Sequence, residues 1–451
     1  MKQDFTSGSI MKQVWTFSLP IMLTNLLQIS YQFIDSLWVG NLLGANALGA
    51  IAVSSTVIFT ILSFIIGINN ATLTILSQQK GKQNETGLKN YLNAFVVVLT
   101  ALSVFFGIAG YLLSEQILIW MATPATMIPD AAEYLQINFI GILFLFGYNF
   151  ISTVLRALGD SKTPIRYVMI AVVLNALLDP LFIYVFELGI AGAAYATILS
   201  QGISFLYGIW DTLRRKLVPF IKPKLPSGNE VATIMKLGLP SGLQMTVISA
   251  GVMAIMSVVN SFGNDVVAGF GAAQRLDSLI MLPAMALGTA VNSMAGQNIG
   301  ANQWKRVHDI AKYGVIFNLL IMILISTVVV LFAEWGIRLF IGENEAVQFG
   351  TDYLIAIAFF YPFLGINFIL NGIVRAAGAM FQVLILNVIS FWILRYPLSY
   401  LCSIWLGERG IAVGMGLSFV ISSVIAFGYY KYGKWNKIKL GTNEKKLYNQ
   451  S

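Results

Sequence analysis

Twelve stretches of this chain are apolar for long enough to cross a lipid bilayer, and that property limits what the chain can fold into. They cover residues 14–38, 46–77, 91–114, 131–155, 165–186, 190–213, 233–262, 266–298, 310–333, 348–374, 381–404 and 410–430. An α-helix needs roughly 20 residues to span the hydrocarbon. The runs are unbroken rather than alternating, so they read as helices and not as barrel strands. Composition closes the alternative of a soluble fold. Of the 451 residues, 57% are hydrophobic and only 11% charged, whereas about a quarter of a soluble protein is charged. The expected fold class is an all-α integral membrane protein with twelve transmembrane helices.

The same composition excludes several functions. One cysteine, Cys402, and one histidine, His308, leave no disulfide framework and no His/Cys metal cluster. No P-loop or nucleophile motif is present, so neither an enzyme nor a cofactor is expected. The net charge of +8 could suggest a nucleic-acid partner, but its distribution reads otherwise. With the N-terminus in the cytoplasm, 24 of the 28 Lys and Arg, Arg156 and Arg375 among them, fall in cytoplasmic segments. Arg338 and Arg409 stay outside, and Arg275 and Arg395 fall within spans. The outer loops carry acids instead, including Glu115, Asp130, Glu187, Glu343 and Glu345. The positive-inside rule then predicts a multi-pass protein of the plasma (inner) membrane with both termini cytoplasmic. Its partner surface is the lipid bilayer, not nucleic acid.

The chain is written twice, at an offset close to 220 residues. Phe17-Ser18-Leu19-Pro20 faces Leu237-Gly238-Leu239-Pro240, and Tyr134-Leu135 faces Tyr353-Leu354. Arg156-Ala157-Leu158-Gly159 faces Arg375-Ala376-Ala377-Gly378, Pro180 faces Pro397, and Gly189-Ile190-Ala191 faces Gly410-Ile411-Ala412. Their shared order makes the signal. The predicted organisation is an N-terminal six-helix bundle over 1–213, a basic cytoplasmic linker over 214–231, a C-terminal six-helix bundle over 232–433 and a cytoplasmic tail over 434–451. Six spans per repeat give both halves the same orientation. They predict a pseudo-twofold axis along the membrane normal, a cleft between bundles, and transport by alternating access.

Six plus six spans, a proline in the first and seventh, and Leu155-Arg156-Ala157-Leu158-Gly159-Asp160-Ser161-Lys162-Thr163-Pro164 after the fourth resemble the multidrug and toxic compound extrusion (MATE) transporters. The resemblance covers essentially the whole chain. It implies a MATE-like pair of bundles that act as an efflux antiporter.

Ionisable groups at bilayer depth are costly and point to function. Asp35 lies late in the first span, where Asn25, Gln28, Gln32 and Asp35 fall within about 80° of one another on a helix and form a polar stripe. That stripe must face a wet cavity or other protein. Asp179 lies in the fifth span, one turn after Asn175 and directly before Pro180. Two carboxylates close together in a low dielectric cannot both carry charge cheaply, so a proton has a place to bind and leave. In the MATE branch that resembles DNA-damage-inducible protein F (DinF), an N-half cluster is implicated in cation coupling. Asp35, Asn175 and Asp179 match it, with Thr197 and Asn149 as weaker matches and Tyr31 as a hydrogen-bond partner for Asp35. The NorM-type branch places acids in the seventh and tenth helices, and here those spans have none deep in the membrane.

The candidate cation-coupling residues are therefore Asp35, Asp179, Asn175, Thr197 and Tyr31. The candidate substrate contacts are Asn25, Gln28, Gln32, Asn149, Met281 and Met285. Arg275 and Asp277 lie on different faces of the eighth span and are not expected to pair with each other. The expected function is proton-coupled efflux of small amphipathic or cationic drugs by a monomer. Two alternatives stand beside it. One is sodium coupling through Na+ at Asp35 and Asp179. The other is a flippase for lipid-linked cell-envelope precursors, which would need a strongly cationic central cavity, with Arg275 and Arg395 as its candidates.

Overall fold

A computed structural model describes residues 2–440 of the chain. The distal part of the tail, with Lys445 and Lys446, lies outside the described residues. Twelve helical rods account for the spans. In the first half they are α1 (Ile10–Leu43), α2 (Ala45–Gly81), α3 (Glu85–Trp120), α4 (Ile128–Ile140 with Ile142–Ala157), α5 (Thr163–Pro180 and a π-helical turn, Leu181–Val185) and α6 (Ile190–Arg214). In the second they are α7 (Gly228–Asn260), α8 (Asn264–Ile280 with Leu282–Gly300), α9 (Trp304–Arg338), α10 (Asn344–Ala358 with Tyr361–Ala376), α11 (Met380–Val388, a π-helical turn Ile389–Arg395, and Tyr396–Leu406) and α12 (Arg409–Tyr432). The twelve-helix membrane fold expected from the sequence is the one observed.

Local chemistry sets the ends. α7 opens on a capping box: Glu230 N–H donates to Ser227 Oγ at 3.3 Å and Ser227 N–H to Glu230 Oε2 at 3.0 Å. Upstream, Pro219, Pro223 and Pro226 keep the linker from continuing a helix. Asn93 holds that linker from both sides, donating to Lys224 O at 2.8 Å and accepting from Lys224 N at 3.0 Å. α4 and α10, equivalent in the two halves, bend by 53° and 55° at their breaks. α1 is long enough to cross the membrane, but its polar stripe leaves it less apolar than the other rods. α5 and α11 each widen to a π-turn beside a proline, Pro180 and Pro397, whose missing N–H loosens the helical ladder there.

The halves are not closed units. Phe5, Ile10, Val14, Phe17 and Ile21, around the start of α1, are buried in a cluster otherwise built from C-half helices. Ile234 and Leu237, at the start of α7, are buried with the N-half core. Each half thus lends the other the first turns of its leading helix, at the end of the molecule that carries the basic loops.

At that basic end the halves are also cross-bonded. Thr74 Oγ1 and Gln78 Nε2 of α2 donate to the Arg375 and Ala376 carbonyls closing α10, at 3.1 and 2.7 Å. Ser293 Oγ and Gln297 Nε2 of α8 donate to the Arg156 and Ala157 carbonyls closing α4, at 2.7 and 3.1 Å. Donors and acceptors in the second pair of bonds sit 219 residues from those in the first, so the two sets are twofold equivalents. In each set the alanine carbonyl is one that a helix end leaves orphaned, and the arginine carbonyl gains a second donor beside the N–H of Gly159 or Gly378. At about 0.5–1.5 kcal/mol per bond, the four together contribute about 2–6 kcal/mol, enough to define a state and small enough to be reversed. Two glycines let the backbones come this close: a Cβ on Gly81 would overlap the Gln297 carbonyl, and one on Gly300 the Gln78 carbonyl.

Candidate functional site

Above this crossing lie two cavities. The central one, about 390 Å³, is lined by both halves. The second, about 510 Å³, is lined by N-half residues alone. The polar stripe of α1 runs along both, while the helix's other open face, with Leu19, Leu23, Leu26 and Leu37, is apolar. Asn25 lines the central cavity, Gln32 and Asp35 the N-half cavity, and Gln28 both. Asn149 of α4 likewise lines both.

The structure brings Asp35 and Asp179 together. Their carboxyls come within hydrogen-bonding reach of each other, with Asp35 on the cavity wall and Asp179 wholly buried behind it. Asn175 Nδ2 donates to Asp179 Oδ1 at 3.4 Å, the one-turn spacing placing the two on a common face of α5. Asp35 Oδ1, Asp179 Oδ2, Asn175 Oδ1 and the Tyr31 hydroxyl are buried with no hydrogen-bond partner. Tyr31 and Thr197 line the same cavity, and Thr197 Oγ1 donates to Ala193 O at 3.1 Å. Among the described residues neither acid is in an ion pair. Two carboxyls facing each other with acceptors to spare form a place that a positive charge completes, whether a proton or a small cation.

The C-half answers differently. Its acid at a comparable depth, Asp277, is half-buried, accepts a hydrogen bond from the Tyr361 hydroxyl and lies within the field of Arg395. Arg395 is itself buried, stacked over Phe391 and Phe419 at 3.8 and 4.8 Å to the ring centroids. Arg275 instead covers the Phe340 ring at 5.6 Å. Neither Arg275 nor Arg395 lines the central cavity. An acid with a donor and a nearby cation is electrostatically answered; the Asp35/Asp179 pair is not.

Two sequence expectations need correction. Met285 reaches the central cavity, but Met281 does not line it. α8 is interrupted at Met281, just ahead of Pro283, and Met281 packs into the C-half core instead. Arg156 and Arg375, sorted by sequence into cytoplasmic segments, both line the central cavity. A signal for them existed: Asn149, Thr153 and Arg156, like Asn367, Asn371 and Arg375, recur at one-turn spacing and so share a helix face. Sequence reasoning also missed Tyr134 and Asn138, one turn apart on α4, which line the N-half cavity beside Asp35.

The Leu155–Pro164 segment turns out to build a corner. Gly159 has φ +89°, and a side chain there would strike Gln3 O. Asp160 caps α5, its Oδ1 accepting from Lys162 N and Thr163 N at 3.1 and 3.0 Å and its Oδ2 from Thr163 Oγ1 at 2.6 Å. The cap explains the Asp and the left-handed turn the Gly. Of the segment's charged residues, Arg156 is the one that faces the cavity.

Comparison with known proteins agrees with this architecture. The MatE family model matches the chain twice, over residues 20–181 and 240–401. The chain is 65% identical over 441 residues to the probable multidrug resistance protein YpnP of Bacillus subtilis (strain 168), covering 98% of this chain and 99% of that one. It is 29% identical over 447 residues to the probable multidrug resistance protein YoeA of the same organism, with 96% of each covered. Among solved structures, the Vibrio cholerae MATE transporter VcmN superposes with a TM-score of 0.90 at 23% identity, over 95% of this chain and 98% of that chain. A MATE multidrug resistance transporter in an outward-facing conformation gives the same TM-score of 0.90 at 22% identity, over 95% and 96%. With the MatE model covering both halves and YpnP matching nearly end to end, the chain belongs to the MATE family of multidrug efflux transporters.

Proposed function

We propose that the protein is a proton-coupled antiporter that exports amphipathic organic compounds, cationic ones among them, by alternating access between its two halves. The observation that carries this reading is the Asp35/Asp179 pair, with free acceptors and, among the described residues, no ion-pair partner. The basic end is assigned to the cytoplasm by the positive-inside rule. The crossing of α2 and α8 then closes the cytoplasmic side, and the cavities belong to the state that discharges substrate outward.

In that state a proton entering from outside binds between the two carboxyls and removes the repulsion between them. A substrate cation and a proton would compete for the same negative charge, so arrival of one favours departure of the other. Coupling of this kind needs only that the two conformations bind the proton unequally. A membrane potential adds about 2.3 kcal/mol per charge per 100 mV, comparable with the strength of the cytoplasmic crossing.

Sodium coupling is the second reading. Asp35, Asp179 and Asn175 each keep an unpartnered buried oxygen, and a hard cation is held by oxygen ligands of this type. Proteoliposomes loaded with rhodamine 6G separate the two readings. Efflux should follow an imposed pH gradient in sodium-free buffer. Efflux that requires sodium and ignores the pH gradient would transfer the site to Na+.

A further inference from the structure

The central cavity has a charge of its own, opposite in sign to that of the N-half cavity. Arg156 and Arg375 line it from opposite halves, at twofold-equivalent positions, and among the described residues no Asp or Glu lines it. Neither arginine is in an ion pair among the described residues. Arg375 Nε donates to Asn371 O at 3.3 Å, while the buried Nε of Arg156 has no partner. A guanidinium offers five N–H donors in a planar fork suited to carboxylate and phosphate oxygens.

The attraction of a cation to a helix C-terminus explains why arginine is tolerated in the last turns of α4 and α10. It does not explain why both side chains enter one cavity. A charge drawn partly out of water without a counter-ion is costly, and the duplication places two such half-buried charges on a shared space. The surrounding groups are polar amides: Asn69 Oδ1, Asn367 Nδ2 and Asn371 Oδ1 all line the cavity and have no hydrogen-bond partner. The arginine backbones are held rigidly, since their carbonyls accept from Ser293 and Thr74 of the opposite halves. The two forks are therefore positioned from outside the cavity, and apart from the Arg375 Nε bond to Asn371 O their donors are left for its contents.

We propose that the Arg156/Arg375 end of the central cavity is an anion site, which takes the carboxylate, sulfonate or phosphate group of an amphipathic substrate. Gln28 and Asn149 line both cavities, so the two spaces adjoin. A compound with an amine at one end and an acid at the other can place the amine toward Asp35 and the acid between the arginines. This deepens the export reading and rests on the central cavity being part of the substrate path. Because the arginine carbonyls belong to the crossing of α2 and α8, opening the cytoplasmic side must move the two forks apart. The anion site exists as a pair only in the state closed on that side.

The test is equilibrium binding to the full chain in nanodiscs, with no gradient, followed by fluorescence anisotropy. It uses two xanthene dyes of similar shape and opposite charge, fluorescein and rhodamine 6G. The wild type should bind fluorescein, and R156Q and R375Q should each weaken that binding at least about tenfold, as expected for a charge-assisted hydrogen bond. R156K and R375K should recover part of it, which a merely structural role would not produce. A wild type that excludes fluorescein while binding rhodamine 6G would overturn the site even if the variants failed to fold. So would well-folded R156Q and R375Q proteins that bind fluorescein as tightly as the wild type. Comparing phosphatidylcholine discs with discs that also contain phosphatidylglycerol separates two sources of the anion. Equal fluorescein binding in both supports a free organic anion, and suppression by phosphatidylglycerol supports an anion site taken by a lipid headgroup. Because no transport is measured, loss of proton coupling and loss of anion binding are read separately.

Discussion

Asp35→Asn is expected to reduce pH-driven efflux in proteoliposomes to the rate of empty liposomes while leaving the protein folded. The amide has the size of the acid and can donate a hydrogen bond to Asp179, so the variant resembles a permanently protonated pair. A pair that never releases its proton binds it equally in both conformations, and a gradient then shifts nothing. Stability should hold or rise slightly, because one fewer buried carboxylate must be desolvated. Asp179→Asn should behave in the same way, since neither carboxyl has a cation to fall back on. Full efflux in either variant would remove the acid pair from the mechanism.

The second large effect is expected at the crossing of α2 and α8. Gly81→Val and Gly300→Val each push a side chain against a backbone carbonyl, Gln297 O and Gln78 O respectively. Backbone at a helix crossing cannot step aside as a flexible side chain would. Overpacking of this kind costs about 1–3 kcal/mol, charged only to the state in which the crossing is closed. That is a shift of roughly 5- to 150-fold toward opening at the basic end. With Cys402→Ser as background, a cysteine at Thr289, which lines the central cavity, reports the change. Its modification by a membrane-impermeant maleimide applied to the basic side should speed up by tenfold or more in both valine variants, and efflux should fall. An unchanged rate would mean that some other contact seals that side.

Much of the fold was legible because lipid leaves so few solutions. Long apolar runs, a doubled order of motifs and the sorting of Lys and Arg were enough for twelve helices in two related halves. The polar stripe of α1 was legible for the same reason: four polar residues at helical spacing can only face something wet. What the sequence left open depends on where rods lie against each other. That Asp35 meets Asp179 comes from the packing of α1 on α5, which no local pattern encodes. The exchange of the first turns of α1 and α7 between halves is likewise a matter of packing, since both segments read simply as apolar helix starts.

The misreadings have physical causes too. Counting positive charge by loop treats every Arg near a helix end as solvated. Arg156 and Arg375 close their helices yet turn inward, as Asn149-Thr153 and Asn367-Asn371 one and two turns earlier foreshadow. Met281 was placed by spacing on an unbroken helix, and the interruption ahead of Pro283 removes that premise. The alternative of a cationic central cavity looks to Arg275 and Arg395, the arginines within spans, and neither lines it. The arginines are there, supplied by span ends rather than span centres.

Substrate cations and protons are expected to compete for the charge of Asp35 and Asp179. The most direct test of this competition is to add rhodamine 6G to the purified protein in weakly buffered nanodiscs near neutral pH and record the proton released. Proton release should rise and saturate with dye binding, and none should come from Asp35→Asn. Dye binding to the wild type with no proton released would contradict the competition.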